Sequence, residues 1–334
     1  KFFQQFRELA IQAESKLQEA HTFNLFTKQT TSKLHFSPVT SVQISDKYIT
    51  STSLDNQVFL HDPQTQFNHS GPVYCSALHK DNLLTGSLDG FVRLFNLQTH
   101  KPLQTMQTNK LSPVLCCQLD QRAVFGCESG FVSLLDLEKN TFFKMQQHQS
   151  ECVQVQLSQN LVYSAGFDGA VLRNDLRECP QGSRLQTTAS TVRKLFVDHQ
   201  QPITVMRLHG QNMLVASAQK LEVYDLRTQK PFQTEETGSL ITDADLMGGN
   251  ILFSTLDSTV EMGEHTTFLQ GARFCRYLGP GNGSNKVLVG EKEVMVHRGE
   301  EVKSWKGTGT CVGLQRDGRR MVVGMQGGEV VLFE

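Results

Sequence analysis

The chain has almost no net charge, no long apolar run and no rhythm in its cysteines, and each lack removes a class of function. Thirty-two Lys and Arg face 33 Asp and Glu, for a formal net charge of −1. No global field therefore attracts nucleic acid or an anionic membrane. No apolar stretch approaches the ~20 residues of a spanning helix, so membrane insertion is not expected. The eight cysteines show neither metal-ligand nor disulfide spacing. Seven of them, Cys75, Cys116, Cys117, Cys127, Cys152, Cys275 and Cys311, fall on or beside predicted strands, where free cysteine behaves as a small apolar residue. They are expected as thiols, which implies a reducing compartment, cytoplasm or nucleus. The 11 histidines are dispersed, without the paired spacing of a metal-binding helix. Two glycine-rich stretches, 279–283 and 307–310, lead into predicted strands and lack a phosphate-binding lysine. Neither metal nor cofactor is expected.

What the chain does have is repetition. A histidine precedes an aspartate by 20 residues three times: His35 and Asp55, His69 and Asp89, His148 and Asp168. His199 has Gln219 at the same distance. The words around each aspartate also return, as Ser53-Leu54-Asp55-Asn56, Ser87-Leu88-Asp89-Gly90, Gly166-Phe167-Asp168-Gly169 and Thr255-Leu256-Asp257-Ser258. Tandem copies of one small unit explain this spacing.

Each unit reads as three short strands and a more polar fourth. In the second copy, Val73–Leu78, Leu83–Gly86 and Phe91–Phe95 are apolar or alternating runs separated by Asn-, Asp- and Gly-rich turns. Units of about 40 residues with four strands indicate an all-β propeller. The central turns fall near Asp55, Asp89, Ser129, Asp168, Gln219, Asp257, Glu291 and Gly327. Eight blades are therefore expected, with seven the alternative if one triplet is an insertion. The chain ends on a third strand, leaving the last blade open, and Ser32–Phe36 is the expected donor of its outer strand.

These residues resemble the WD40 repeat family. In that family a histidine, a Ser or Thr on the second strand, a turn Asp and a third-strand Trp form a hydrogen-bonded set. The resemblance implies such a network at His35, Ser51 and Asp55, at His69, Thr85 and Asp89, and at His148, Ser164 and Asp168. The Trp-Asp dipeptide has become His61-Asp62, Phe95-Asn96, Leu135-Asp136, Asn174-Asp175 and Tyr224-Asp225. The single tryptophan, Trp305, stands elsewhere. The likeness covers residues 35–334 and is densest in the first five copies.

Histidine, serine and aspartate also suggest a hydrolase. One triad in one cleft with an oxyanion hole is what catalysis needs, whereas this trio recurs, as a structural network does. No catalytic residue is assigned. Residues 1–30 are read as an N-terminal amphipathic helix and linker, and 31–334 as the propeller. The helix rests on Phe2, Phe6, Leu9, Ala13, Leu17 and Ala20, a face suited to the propeller or to a partner subunit. Phe6-Arg7-Glu8-Leu9-Ala10 is similar to the closing helix of an F-box.

The functional expectation is a non-catalytic scaffold that holds several proteins at once within a larger complex. The alternative is the substrate receptor of an F-box ubiquitin ligase. Candidate partner contacts are the residues before the turn aspartates, Leu54, Leu88, Phe167 and Leu256, together with Tyr74 at the start of an inner strand.

Overall fold

The computed structural model describes residues 28–138, 141–178, 193–198, 201–247, 249–257, 259–261, 266–267, 269, 272–277, 285–298, 301–314 and 320–334. The N-terminal helix expected over residues 1–20 lies outside the described residues.

The described strands pair into eight antiparallel sheets of four. Blade 1 comprises Val39–Ile44, Ile49–Ser53, Gln57–His61 and Gln64–Asn68; blade 2 comprises Val73–His79, Asn82–Ser87, Phe91–Asn96 and Lys101–Gln107. Blades 3 to 8 begin at the inner strands Val114–Leu119, Cys152–Ser158, Ile203–His209, Ile241–Met247, Phe274–Tyr277 and Gly309–Leu314. Two short 3-10 turns, Asn109–Leu111 and Leu176–Glu178, are the only helical elements among the described residues.

Apolar patterning explains the layering within a blade. Second strands such as Leu83-Leu84-Thr85-Gly86-Ser87 are buried throughout, because both of their faces meet a neighbouring blade. Outer strands such as Lys101–Gln107 are largely exposed and polar. The core is accordingly divided among the junctions. One apolar cluster joins blades 1 and 2 around Val58, Leu60, Leu83 and Phe95, and another joins blades 2 and 3 around Leu84, Val92 and Phe125. The series continues through every junction. The last cluster packs Val322 and Val330 of blade 8 on Val39 and Val42 of blade 1. The ring is closed.

Closure is also made by strand exchange. Gln29–Lys33 pairs antiparallel with Glu329–Phe333 and supplies the outer strand of blade 8, in register from Gln29↔Phe333 to Lys33↔Glu329. This strand lies about one turn N-terminal to the expected 32–36 segment and starts before the expected boundary at residue 31. The displacement has a local cause: the Phe36 amide donates to Asp55 of blade 1, which withdraws it from the ladder.

The turns between second and third strands demand a left-handed residue. Gly90 (φ 79°), Gly130 (φ 80°) and Gly169 (φ 75°) supply it, and Asn56 (φ 71°) does so in blade 1. Gly90 also has no room to grow, since a Cβ there would lie 2.5 Å from the Leu111 backbone.

Candidate functional site

The turn aspartates are positioned by the hairpins that carry them, and the histidines by the loops arriving from the preceding blade. In blade 1, His35 Nδ1 lies 3.0 Å from Asp55 Oδ2 and Nε2 lies 2.9 Å from Ser51 Oγ. Blade 2 repeats this, with His69 Nδ1 3.2 Å from Asp89 Oδ2 and Nε2 2.8 Å from Thr85 Oγ1. So does blade 4, with His148 Nδ1 3.1 Å from Asp168 Oδ1 and Nε2 2.9 Å from Ser164 Oγ. His199 lies outside the described residues. In blade 3, Thr108 occupies the histidine's place, and its hydroxyl lies within donating distance of the Ser112 carbonyl (2.7 Å) and the Gly90 carbonyl (2.9 Å).

Each carboxylate ties two loops together. Asp89 accepts the Phe91 amide of its own turn at 2.9 Å and the Ser70 amide of the connecting loop at 2.9 Å. Asp55 does the same with Gln57 and Phe36, and Asp168 with Ala170 and Gln149. The three sets sit in three different blades, and Ser51, Thr85 and Ser164 are fully buried. The hydroxyls are interior fasteners rather than exposed nucleophiles. Asp89→Ala is expected to cost about 3 kcal/mol or more, since two amides and an imidazole lose their acceptor together. Urea unfolding of the variant checks this, and an unchanged midpoint would remove Asp89 from the network.

Three similar imidazoles titrate differently because their neighbours differ. Burial, reinforced by the Arg93 charge and only partly opposed by Asp89, takes His69 down to about 4. Burial also lowers His35 against the pull of Asp55. At His148 burial acts downward too, but bonds and charge from Cys152 and Asp168 outweigh it and leave the imidazole raised.

Sequence reading passed over one member of the network. His61 stands where the family has its tryptophan, and its Nε2 lies 2.9 Å from Ser51 Oγ. Its Nδ1 lies 3.3 Å from Ser32 Oγ on the ring-closing strand. An imidazole N–H thus replaces the indole N–H and carries the chain Asp55–His35–Ser51–His61–Ser32 across the seam. Burial, with the neighbouring His35, lowers His61 to about 4. The available signal was a ring with an N–H in the dipeptide His61-Asp62. In blade 4 the same place holds Asn174, whose Nδ2 is buried without a partner.

A second constellation lies on one face of the ring. Strand alternation puts the turn between second and third strands at the same end as the connection into the next blade. That face carries Leu54 (39% exposed), Tyr74 (47%), Phe167 (44%) and Leu256 (50%). Leu88 is only half-buried rather than exposed, although its amide makes the same bond to the connecting loop, to the Pro72 carbonyl, that Leu54, Phe167 and Leu256 make to theirs. The connecting loops add Phe36, Leu111 and Leu240 to the same face.

The inner strands are bulged at their second residue in seven blades, as between Val73 and Cys75 or Val114 and Cys116. A bulge re-aims a side chain. In blades 1, 6 and 8 the bulged residue is a threonine bonded to the next blade: Thr40 to the Val73 carbonyl (2.7 Å), Thr242 to Ala272 (2.8 Å) and Thr310 to Val39 (2.5 Å). In blades 2, 3 and 4 it is Tyr74, Leu115 or Val153, none of which carries the Cβ hydroxyl that makes that bond. At the bulges of blades 2 to 4 aromatic or aliphatic side chains therefore stand where blades 1, 6 and 8 have threonine. Leu115 and Val153 became visible only once the bulge aligned them with Tyr74.

Among the described residues no group of three or more His, Cys, Asp or Glu is arranged to hold a metal ion. No described helix is long and apolar enough to cross a membrane. The family model for the WD domain, G-beta repeat, matches residues 63–96. That stretch runs from the outer strand of blade 1 through the third strand of blade 2, so the sequence repeat is out of phase with the blade. No curated protein matches the chain. Among solved structures 1653 chains match, so the architecture is widely shared and does not single out one activity. One of them, the computationally designed Ika8 protein, aligns over 90% of this chain and 96% of its own at 16% identity, with a TM-score of 0.72. That likeness concerns the fold alone.

Proposed function

We propose that this β-propeller, whose residues 63–96 match the WD domain, G-beta repeat model, is a non-catalytic scaffold and a subunit of a larger assembly. Propellers of this kind generally serve protein interaction, since a rigid closed ring presents many loops on two faces. The observation that carries the reading is the apolar sector of one face. Tyr74 and Phe167 stand exposed there, and Leu54 and Leu256 extend the face on either side. Apolar groups gathered on one rigid face are what a protein partner desolvates, and aromatic anchors dominate such contacts.

The imidazole–carboxylate sets support the same conclusion from the opposite direction. They spend their polar groups on bonds within blades, and a would-be nucleophile in each is buried. The substrate-receptor alternative rests on Phe6–Ala10, which lies outside the described residues. Of the arginines that a phosphorylated motif would require, Arg93 already donates to the Asn68 carbonyl.

The test is affinity purification with mass spectrometry on wild type and on a Tyr74→Asp/Phe167→Asp variant. Losing two anchors is expected to weaken capture at least ~30-fold, from about 2 kcal/mol at a single hot spot. A Leu103→Asp/Phe232→Asp variant, altered on outer strands, should keep its partners. Equal capture by both variants would reject this face.

A further inference from the structure

The eight inner strands adjoin one another around the axis of the ring. Their Asp, Glu, Lys and Arg residues number four and fall in three adjacent blades: Arg207 in blade 5, Asp243 and Asp245 in blade 6, and Arg276 in blade 7. Blades 1 to 4 and 8 carry Gln43, Ala77, Gln118, Gln156 and Gly313 at the place of Arg207. The charge is thus confined to one side of the central channel.

Asp243 brings the two arginines together. Arg207 Nη2 donates to its Oδ1 at 3.2 Å, and Arg276 Nη1 donates to its Oδ2. The carboxylate is 4% exposed, against 21% and 24% for the two arginine side chains. An inner strand lies between two neighbouring blades, so the solvent these guanidiniums meet is that of the channel. Arg207 Nη1 also reaches the Met206 carbonyl at 3.4 Å, and Arg276 Nη1 the Cys275 carbonyl at 2.6 Å. Arg207 Nε and Arg276 Nε and Nη2 are left without an acceptor among the described residues.

Asp245 does not supply one. Its two oxygens accept the Leu246 and Tyr277 amides at 3.0 Å each, which places it beside Arg276 without bonding it. Burial first, then the charge of Arg276, lower the Arg207 guanidinium against the pull of Asp243. Two planar forks therefore stand one carboxylate apart, fixed from the wall side and open toward the channel. Such forks are matched by oxyanions.

We propose that Arg207 and Arg276 form an oxyanion site in the central channel, which takes the phosphoryl group of a small soluble phosphate compound. Asp243 holds the forks at a set spacing, and the phosphoryl oxygens accept the open N–H groups. The forks come from different blades, so a tetrahedral group with several terminal oxygens serves both at once, where a planar carboxylate serves one. Asp243 and Asp245 already balance the two cations, so hydrogen bonds rather than net charge set the affinity. The site lies inside the ring and does not depend on whether the face of Tyr74 and Phe167 captures a protein.

Isothermal calorimetry of the full chain with pyrophosphate, at an ionic strength held constant with potassium chloride, is expected to find one site per chain. Arg207→Gln is expected to weaken binding about tenfold or more, through loss of charge-assisted bonds. Asp245→Asn removes a neighbouring negative charge and is expected to tighten binding severalfold. Arg227→Gln, whose exposed guanidinium pairs with Asp225, is expected to bind as wild type does. No heat at millimolar pyrophosphate, equal binding of acetate, or an equal loss in Arg227→Gln would each overturn the assignment. Asp245→Asn decides the question even where Arg207→Gln folds poorly, since binding no tighter than wild type there would also overturn it.

Discussion

Thr30→Pro is expected to lower the thermal midpoint by ~10 °C or more, whereas Thr31→Pro, one residue along, is expected to leave it nearly unchanged. Lys28 and Glu334 exchange both of their backbone bonds, at 3.2 and 3.0 Å. Antiparallel pairs alternate between bonded and non-bonded, so Thr30↔Leu332 and Ser32↔Val330 are bonded pairs and Thr31↔Val331 is not. A proline at 30 therefore removes a ladder donor, while at 31 the missing N–H faces outward, where an edge strand tolerates it.

Deletion through Lys33 removes the whole ladder, about six bonds worth about 0.5–1.5 kcal/mol each, and uncovers Val330 and Phe333, both 2% exposed. That loss is comparable to the entire stability of a typical domain, about 5–15 kcal/mol. The flanking pairs Lys28–Glu334 and Lys33–Glu329 are solvent-exposed and add little. Calorimetry of the two proline variants separates strand pairing from any general effect of the N-terminal segment. Equal midpoints for both would mean that the ring does not depend on its exchanged strand.

Acid is expected to loosen the fold well before the carboxylates titrate. His61 and His69 are ordinary imidazoles in the unfolded chain, near 6.5, but burial takes each to about 4 in the folded one. Between those values the unfolded chain binds the extra proton, so stability rises with pH across the window. Their contribution is complete above 6.5 and is lost as pH falls toward 4. A shift of this size corresponds to about 3 kcal/mol per histidine. His148, raised in the fold, has the opposite sign: its contribution is present below 6.5 and is lost as pH rises through its folded value.

Denaturant midpoints measured from pH 7.5 to 4.5 should therefore fall with acid. They should fall less steeply in His61→Phe, which copies the arrangement of blade 2, where Phe95 fills that place. An identical slope in the variant would show that His61 is not among the groups that take up the proton. The same variant also leaves Ser32 without its cross-seam partner, so its midpoint at pH 7.5 reports the worth of that bond separately.

Much of the architecture was legible because a hydrogen-bonded network imposes fixed spacing. The 20-residue interval between histidine and aspartate appears in the fold as a loop and a turn joined by one carboxylate. His61 was harder to see, since it shares with tryptophan a ring N–H but not a shape, and pattern reading follows shape. The donor strand was placed three residues late because nothing local reveals that Asp55 holds Phe36.

The sequence by itself determined the repeating unit, the turn chemistry and which side chains serve as internal fasteners, because these depend on neighbours within one copy. Only the tertiary structure decided which residues of different blades meet. The exchanged strand, the seam relay through His61 and the alignment of Tyr74, Leu115 and Val153 at the bulges of their inner strands join positions far apart along the chain. Closure of the ring sets those distances, and no spacing within a single copy encodes them.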